Sequence, residues 1–231
     1  MEVDFGEILE PISRAFWDDY DDLTENEEYK QPEWNADDRD VICPENLKSF
    51  IVVEGQKAEE LMKLLVLGDV KPFLSLKTGY VSLYHLPETK TMICTSEEKN
   101  LNYYGPITEV LSRFIDKTPE VVGISIQPSS LHKGQKDGDS DKVSFIRGLN
   151  SPFSEIYPLK EPNFITGVSA GVASWRKFHD LTCFCFAVYV EALRFDSQTI
   201  EPLVGILKKF GVQCKEGQNI NIKAAESNLY M

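Results

Sequence analysis

No run of 18 or more apolar residues occurs in this chain, so no segment of it reads as a helix long enough to cross a bilayer. A membrane partner is not expected. The start, Met1-Glu2-Val3-Asp4-Phe5-Gly6-Glu7, carries neither the basic nor the apolar region of a secretory signal, and a location in the cytoplasm, extending to the nucleus, is expected. Histidine is scarce, at 3 of 231 residues, which leaves His85, His132 and His179 as the only imidazoles for catalysis or metal binding. Clustered Lys and Arg are missing too, which argues against nucleic acid as a partner, because phosphate contacts require them. The five cysteines (Cys43, Cys94, Cys183, Cys185, Cys214) are odd in number and sit mostly in apolar runs, the pattern of reduced core thiols rather than of a disulfide framework. Cys183 and Cys185 share one face of an alternating strand; a metal there needs further ligands, of which only His179 is near, so burial is the expected role. No cofactor is expected.

What is present is distributed unevenly. Residues 1–45 hold 16 of the 37 acidic residues and 3 of the 24 basic ones, so the whole formal net charge of −13 lies there and the remainder is balanced at 21 of each. A segment with Asp18-Asp19-Tyr20-Asp21-Asp22 and Glu27-Glu28 carries too much charge to bury a core by itself. Residues 1–45 therefore read as an acidic, largely disordered arm. Phe16, Trp17 and Trp34 punctuate it, so it serves either as a solvated arm or as an adaptor segment that docks on a basic partner surface.

From residue 46 strands and helices alternate. Phe50-Ile51-Val52-Val53 reads as a buried strand ended by Gly55, and residues 57–66 as a helix. Gly79 to Leu86 and Thr91 to Thr95 read as neighbouring strands joined by the turn Pro87-Glu88-Thr89-Lys90. The spacing of Ile107, Val110, Leu111 and Phe114 predicts a helix over 106–116, followed by a strand from Val121 to Ile126. Residues 128–142 are polar and glycine-bearing and read as an exposed loop; Asp137, Asp139 and Asp141 alternate in it without the glycine and terminal glutamate of a calcium loop. Leu181 to Val190 reads as a central strand covered on both faces, and residues 199–210 as an amphipathic helix with Pro202 in its first turn and Gly211 past its end. The expected fold is a single α/β domain over residues 46–216, a central, largely parallel sheet flanked by helices. Residues 217–231 follow it as a flexible tail.

Two segments carry chemistry. Gly167-Val168-Ser169-Ala170-Gly171 spells G-x-S-x-G, the nucleophile elbow of α/β-hydrolases. A triad in that fold needs an acid and then a histidine after the serine, and residues 170–178 contain no Asp or Glu before His179. The competing reading is a small-residue turn that lets a helix start tight against a strand, with a phosphate site at the helix N-terminus as a further possibility. A serine hydrolase or a phosphorylase-like enzyme thus stands as the alternative to a non-enzymatic protein.

The second segment is the ending Leu229-Tyr230-Met231. Leu229 can bury an apolar side chain, worth about 1.5–3 kcal/mol if fully enclosed. Tyr230 brings a flat surface and a hydroxyl, and the Met231 carboxylate can accept a charge-assisted bond from a lysine. An apolar-Tyr-any ending arises by chance in about 1–2% of tails of such composition, so context must support it. The 14 steps from Gly217 to Met231 reach roughly 45–50 Å when extended.

That context comes from a resemblance. The ending Glu226-Ser227-Asn228-Leu229-Tyr230-Met231, the segment Ser151-Pro152-Phe153, then Pro162-Asn163-Phe164-Ile165 with the small-residue turn, the strand Cys183 to Val190 with Glu191-Ala192, and the helix 199–210 resemble the proteasome assembly chaperone family in order and spacing. Phe5-Gly6-Glu7 before an acidic stretch is similar to the start of such a chain. The likeness covers roughly residues 150–231; the longer acidic arm, the shorter chain and the wording of Gly167 to Gly171 depart from the family. The resemblance implies a chaperone for assembly of the 20S proteasome, without enzymatic activity and with a phosphorylase-like α/β fold. It implies a heterodimer with a second, related subunit of the assembly-chaperone-2 type, bound to proteasome α-subunits on the outer face of the α-ring. Leu229, Tyr230 and Met231 would form the hydrophobic-tyrosine-any (HbYX) motif that enters a pocket between adjacent α-subunits.

Overall fold

Strand β1 (Ser49–Glu54) is buried along its whole length, as a near-continuous apolar run must be when both faces of a sheet are covered. Phe50 and Val52 pack into one layer, and Ile51 and Val53 into the other. The computed structural model describes residues 32–35, 43–134, 138–139, 142–191, 194–215 and 222–223; most of the acidic arm and the ending Leu229-Tyr230-Met231 lie outside them.

After β1 come α1 (Ala58–Met62), continued by a π-helical turn over Lys63–Leu67, then β2 (Leu74–Ser75), β3 (Val81–Leu86) and β4 (Thr91–Ser96). Helix α2 (Leu101–Ile115) leads to β5 (Glu120–Pro128) and a single 3-10 turn, Ser129–Leu131. The second half holds β6 (Phe145–Leu149), α3 (Gly167–Phe178), β7 (Phe184–Val190), β8 (Arg194–Phe195), α4 (Glu201–Lys209) and β9 (Ile222–Lys223). Seven strands form one sheet in the order β2-β3-β4-β1-β5-β7-β6, and β8 pairs with β9 separately.

The four middle strands β4, β1, β5 and β7 are parallel, and antiparallel strands close both sides. Residues of α1 and α4 pack with Ile51, Val53, Val122 and Ile124 on one face. Those of α2 and α3 pack with Phe50, Val52, Val121 and Cys185 on the other. The result is a three-layer α/β/α domain, as expected from the alternation of elements. Among the described residues no helix is long and apolar enough to cross a membrane.

Both sheet edges are covered, which prevents open pairing with other chains. On the β2 side, residues of the acidic segment run antiparallel to the edge: Trp34 bridges Leu76, Asn35 N donates to Ser75 O at 2.8 Å, and Lys77 N donates to Glu33 O at 2.8 Å. On the β6 side, Gly148 N donates to Tyr157 O at 2.9 Å and Leu159 N to Gly148 O at 2.8 Å.

Two local expectations change. Helix α2 starts at Leu101 rather than at Pro106, because Asn100 caps it by accepting the Asn102 N–H at 3.0 Å. Pro106 lies inside the helix and forgoes one backbone bond. Strand β6 was not apparent in the sequence because its centre is Arg147, a charged residue that is 2% exposed. Its guanidinium is buried against Asp139 at 2.7 Å and stacks over Phe145 and Tyr157. Asp139 is accordingly buried within a loop read as exposed.

Candidate functional site

The carboxyl ends of β4, β1 and β5 meet at the point where helices lie on opposite faces of the sheet: α1, which follows β1, packs on one face, and α3, which precedes β7, packs on the other. In open α/β sheets this is where ligands bind. Here the position is held by Glu54, the last residue of β1. Its Oε1 accepts the Val168 N–H and its Oε2 the Ser169 N–H, each at 3.0 Å. The anion-binding end of α3 is thus occupied by the chain's own carboxylate. Burial pushes the Glu54 carboxyl above the ordinary carboxylate range, and the Ser169 and Val168 N–H groups, with the Ser169 hydroxyl close by, offset part of that rise.

Gly167 makes the arrangement possible. Its φ is +80°, and a Cβ there would lie 1.9 Å from Glu54 Oε1. Gly123 plays a spatial role beneath: a Cβ on it would come 3.2 Å from Ser169 Cβ, so its absence lets α3 lie close against β5. The G-x-S-x-G segment is therefore the small-residue turn of the two readings. Ser169 is fully buried, and its Oγ has no hydrogen-bond partner among the described residues.

The histidines considered for a triad are not gathered around Ser169. His179 follows the last turn of the same helix, ten residues on, about 15 Å away along the axis. It stacks beside Trp175 and Phe178. His132 packs edge-on against Phe145 and Tyr189. His85 lies in β3 on the far side of β4 and β1. A serine hidden under a helix terminus, facing a glycine of the sheet, cannot present its oxygen to a substrate.

Two hollows open at this end of the sheet, of about 380 Å³ and about 370 Å³. Glu54, Gly55 and Glu98 line both. The first is completed by Ser96, Lys57 and Tyr80, the second by Tyr104, Gln127 and Phe164. Burial, then the carboxylates of Glu54 and Glu98, push the Tyr104 phenol above its ordinary range. Glu54 and Glu98 were not singled out in the sequence, although a lone acid between an apolar strand and Gly55 is the kind of signal that could have found the first.

The other residues weighed for chemistry have structural roles. Cys183 and Cys185 are buried with their sulfurs 3.9 Å apart. Among the described residues no group of three or more His, Cys, Asp or Glu is arranged to hold a metal. Asp139 pairs with Arg147 and with Lys142 at 2.8 Å; Asp137 and Asp141 lie outside the described residues. Arg176, also missed, is 3% exposed and donates to the carbonyls of Ile115, Thr118, Pro119 and Thr182. It ties the end of α3 to the loops before β5 and β7. Leu229, Tyr230 and Met231 lie outside the described residues; among the described ones Ile222 is the last that is buried, in the same core cluster as residues of α4.

No protein-family profile matches the sequence, and no curated protein matches it significantly. Solved structures do match in fold. One is PbaA of Pyrococcus furiosus, described as an archaeal homologue of proteasome-assembly chaperone. Its monoclinic form is 16% identical, with 78% of this chain and 82% of that one covered and a TM-score of 0.53. A second PbaA crystal structure is 14% identical, covering 75% and 86%, with a TM-score of 0.50. A protein of unknown function from Thermoplasma acidophilum is 12% identical, covering 78% and 81%, with a TM-score of 0.52. At these identities the likeness concerns the fold: this chain has the α/β architecture that PbaA and the Thermoplasma protein also have.

Proposed function

We propose that this protein is a non-enzymatic chaperone for assembly of the 20S proteasome. In this reading it works as a heterodimer with a related subunit, binds the α-ring, and inserts Leu229-Tyr230-Met231 between adjacent α-subunits. The observation that carries the reading is the coincidence of a fold like that of PbaA, an archaeal homologue of proteasome-assembly chaperone, with a C-terminal apolar-Tyr-any sequence. Fold alone does not give function; the tail supplies chemistry specific to this chain. The switch-point geometry agrees, since the helix terminus where a phosphorylase-like enzyme would take phosphate is filled by Glu54 and Ser169 is buried beneath it.

A short tail alone binds weakly, because ordering each residue costs about 1–2 kcal/mol in backbone entropy. The folded domain must contact the ring as well, which raises the tail's effective concentration to about millimolar. From Lys223 the remaining eight residues span at most about 26–29 Å, so the domain has to sit close to the pocket that its tail enters.

The test is a pull-down of α-ring subunits with the full chain, with Tyr230→Ala, and with a chain ending at Asn228. Loss of retention in both variants is expected. Unchanged retention by the truncated chain removes the tail from the mechanism. Labelling of Ser169 by a fluorophosphonate, or stabilisation by phosphate on heating, would instead return the reading to an enzyme. If partners survive tail loss but vanish on deletion of residues 1–45, the chain is an adaptor working through its acidic arm.

A further inference from the structure

The crevice at the carboxyl end of the sheet contains two acceptors that no described residue uses. Ser96 and Glu98 are 0% and 8% exposed, yet Ser96 Oγ and Glu98 Oε2 have no hydrogen-bond partner among the described residues. The second oxygen of Glu98 is fully engaged: Oε1 accepts Lys99 N–H at 2.9 Å and Asn100 N–H at 2.8 Å, which fixes the carboxylate just before α2. The Ser96 main chain is fixed as well, because its carbonyl accepts the Gly55 N–H at 3.0 Å at the end of β4. Buried polar atoms are nearly always paired, and one without a protein partner beside a hollow is served by water or by the donor of a ligand that enters it.

The surroundings define that donor. Glu54 and Glu97 line the same hollow as Ser96 and Glu98, and Lys57 at its rim is engaged with Glu60 at 3.0 Å. An anion is disfavoured there, since the N–H groups that could receive it already serve Glu54. A metal ion is disfavoured by the lack, among the described residues, of any suitable cluster of ligands. A guanidinium binds best to both oxygens of a carboxylate at once, and Glu98 offers one. A primary ammonium, tetrahedral with three donors, can bond to a single carboxylate oxygen and turn its other donors to neighbouring acceptors, and Ser96 and Glu98 line the same hollow. Tyr80, 54% exposed at the rim, gives its alkyl chain an apolar and cation-attracting face.

We propose that the hollow lined by Ser96, Glu98 and Tyr80 is a binding site for a primary alkylammonium group, as carried by a free aliphatic amine or by a lysine side chain. The site is independent of the assembly role proposed above. Its volume of about 380 Å³ lies within the range of small-ligand pockets.

The test is a titration of the full-length, isotopically labelled protein with n-butylamine at neutral pH, following the backbone amides of Lys99 and Asn100, which share the Glu98 carboxylate. Saturable shifts at these two amides are expected. Tetramethylammonium, equal in charge but without N–H donors, should leave them unmoved, which separates the site from general attraction to the acidic residues 1–45. Glu98→Gln should weaken the butylammonium affinity at least tenfold and Ser96→Ala several-fold. Ser96→Ala, the smaller change, carries the test if Glu98→Gln does not fold. A second titration with Nα-acetyl-lysine amide distinguishes the sources: a response to butylammonium alone indicates a free amine, and a response to both admits a lysine side chain. Absence of saturable shifts, equal shifts with tetramethylammonium, or unchanged affinity in the variants overturns the proposal.

Discussion

Replacing Glu54 with alanine removes the acceptor of two N–H groups at once, those of Val168 and Ser169 in the first turn of α3. Each buried donor left without a partner costs about 1–3 kcal/mol. Loss of the negative charge at the helix N-terminus adds up to about 2 kcal/mol in a partly buried setting. Two terms act the other way: the desolvation that raises the Glu54 carboxyl is relieved, and water from the adjoining hollows can reach the exposed N–H groups. A net loss of about 2–4 kcal/mol is expected, or about 5–15 °C in Tm for a chain of this size. Glu54→Gln keeps one carbonyl oxygen and should lose about half as much. Because the folded carboxyl lies above its unfolded value of 4.5, the stability it contributes is fully present below that value and declines as pH rises through the folded one. The gap between wild type and Glu54→Ala should therefore be widest in acid. Urea and thermal unfolding across pH read all three quantities. An alanine variant within about 0.5 kcal/mol of wild type, or a glutamine variant less stable than alanine, refutes the role given to this carboxylate.

Other outcomes follow from the same contacts. Gly167→Ala should be severely destabilising, and its cost should fall in a Glu54→Ala background, where only the strain of φ +80° remains; a double-mutant cycle on unfolding free energies checks this. Arg176→Met strands four backbone carbonyls and should cost about 3–5 kcal/mol, with Arg176→Lys in between, measured by denaturant unfolding. Asp139 is raised by burial but pulled below its ordinary range by hydrogen bonds from Lys142 and Arg147. The stability it gives is present above an unfolded value near 3.8 and lost as pH falls through the lower folded one, so wild type and Asp139→Asn should converge in strong acid. If the tail docks as proposed, adding one residue after Met231 should reduce α-ring retention as far as removing Leu229 to Met231, since the proposed anchor is the Met231 carboxylate.

Much of the fold was legible because burial on both faces leaves an apolar run. Phe50 to Val53 read as a buried strand and Leu181 to Val190 as a central one for that reason, and the strands found there both lie among the parallel ones. The turn at Pro87 to Lys90 announced the hairpin of β3 and β4. Strand β6 stayed hidden because a buried arginine interrupts its apolar pattern; Asp139, eight residues earlier, pairs with that charge and helps make its burial tolerable. The start of α2 was misplaced because Pro106 is a stronger local signal for a first turn than Asn100 is for a cap. At the crevice, the sequence drew attention to Ser169 for a chemistry that its burial forbids, and passed over the acid that engages its backbone.

By itself the sequence determined the segregation of charge into residues 1–45, the α/β class and the chemistry of Leu229-Tyr230-Met231. Each depends on composition or on the order of near neighbours. Only the tertiary structure decided what the G-x-S-x-G turn is for, because the group that completes it, Glu54, stands 114 residues away from Val168. It likewise left Glu98 Oε2 and Ser96 Oγ without partners among the described residues. Whether a carboxylate caps a helix, or stands ready for a donor from outside, depends on which elements the fold brings against it.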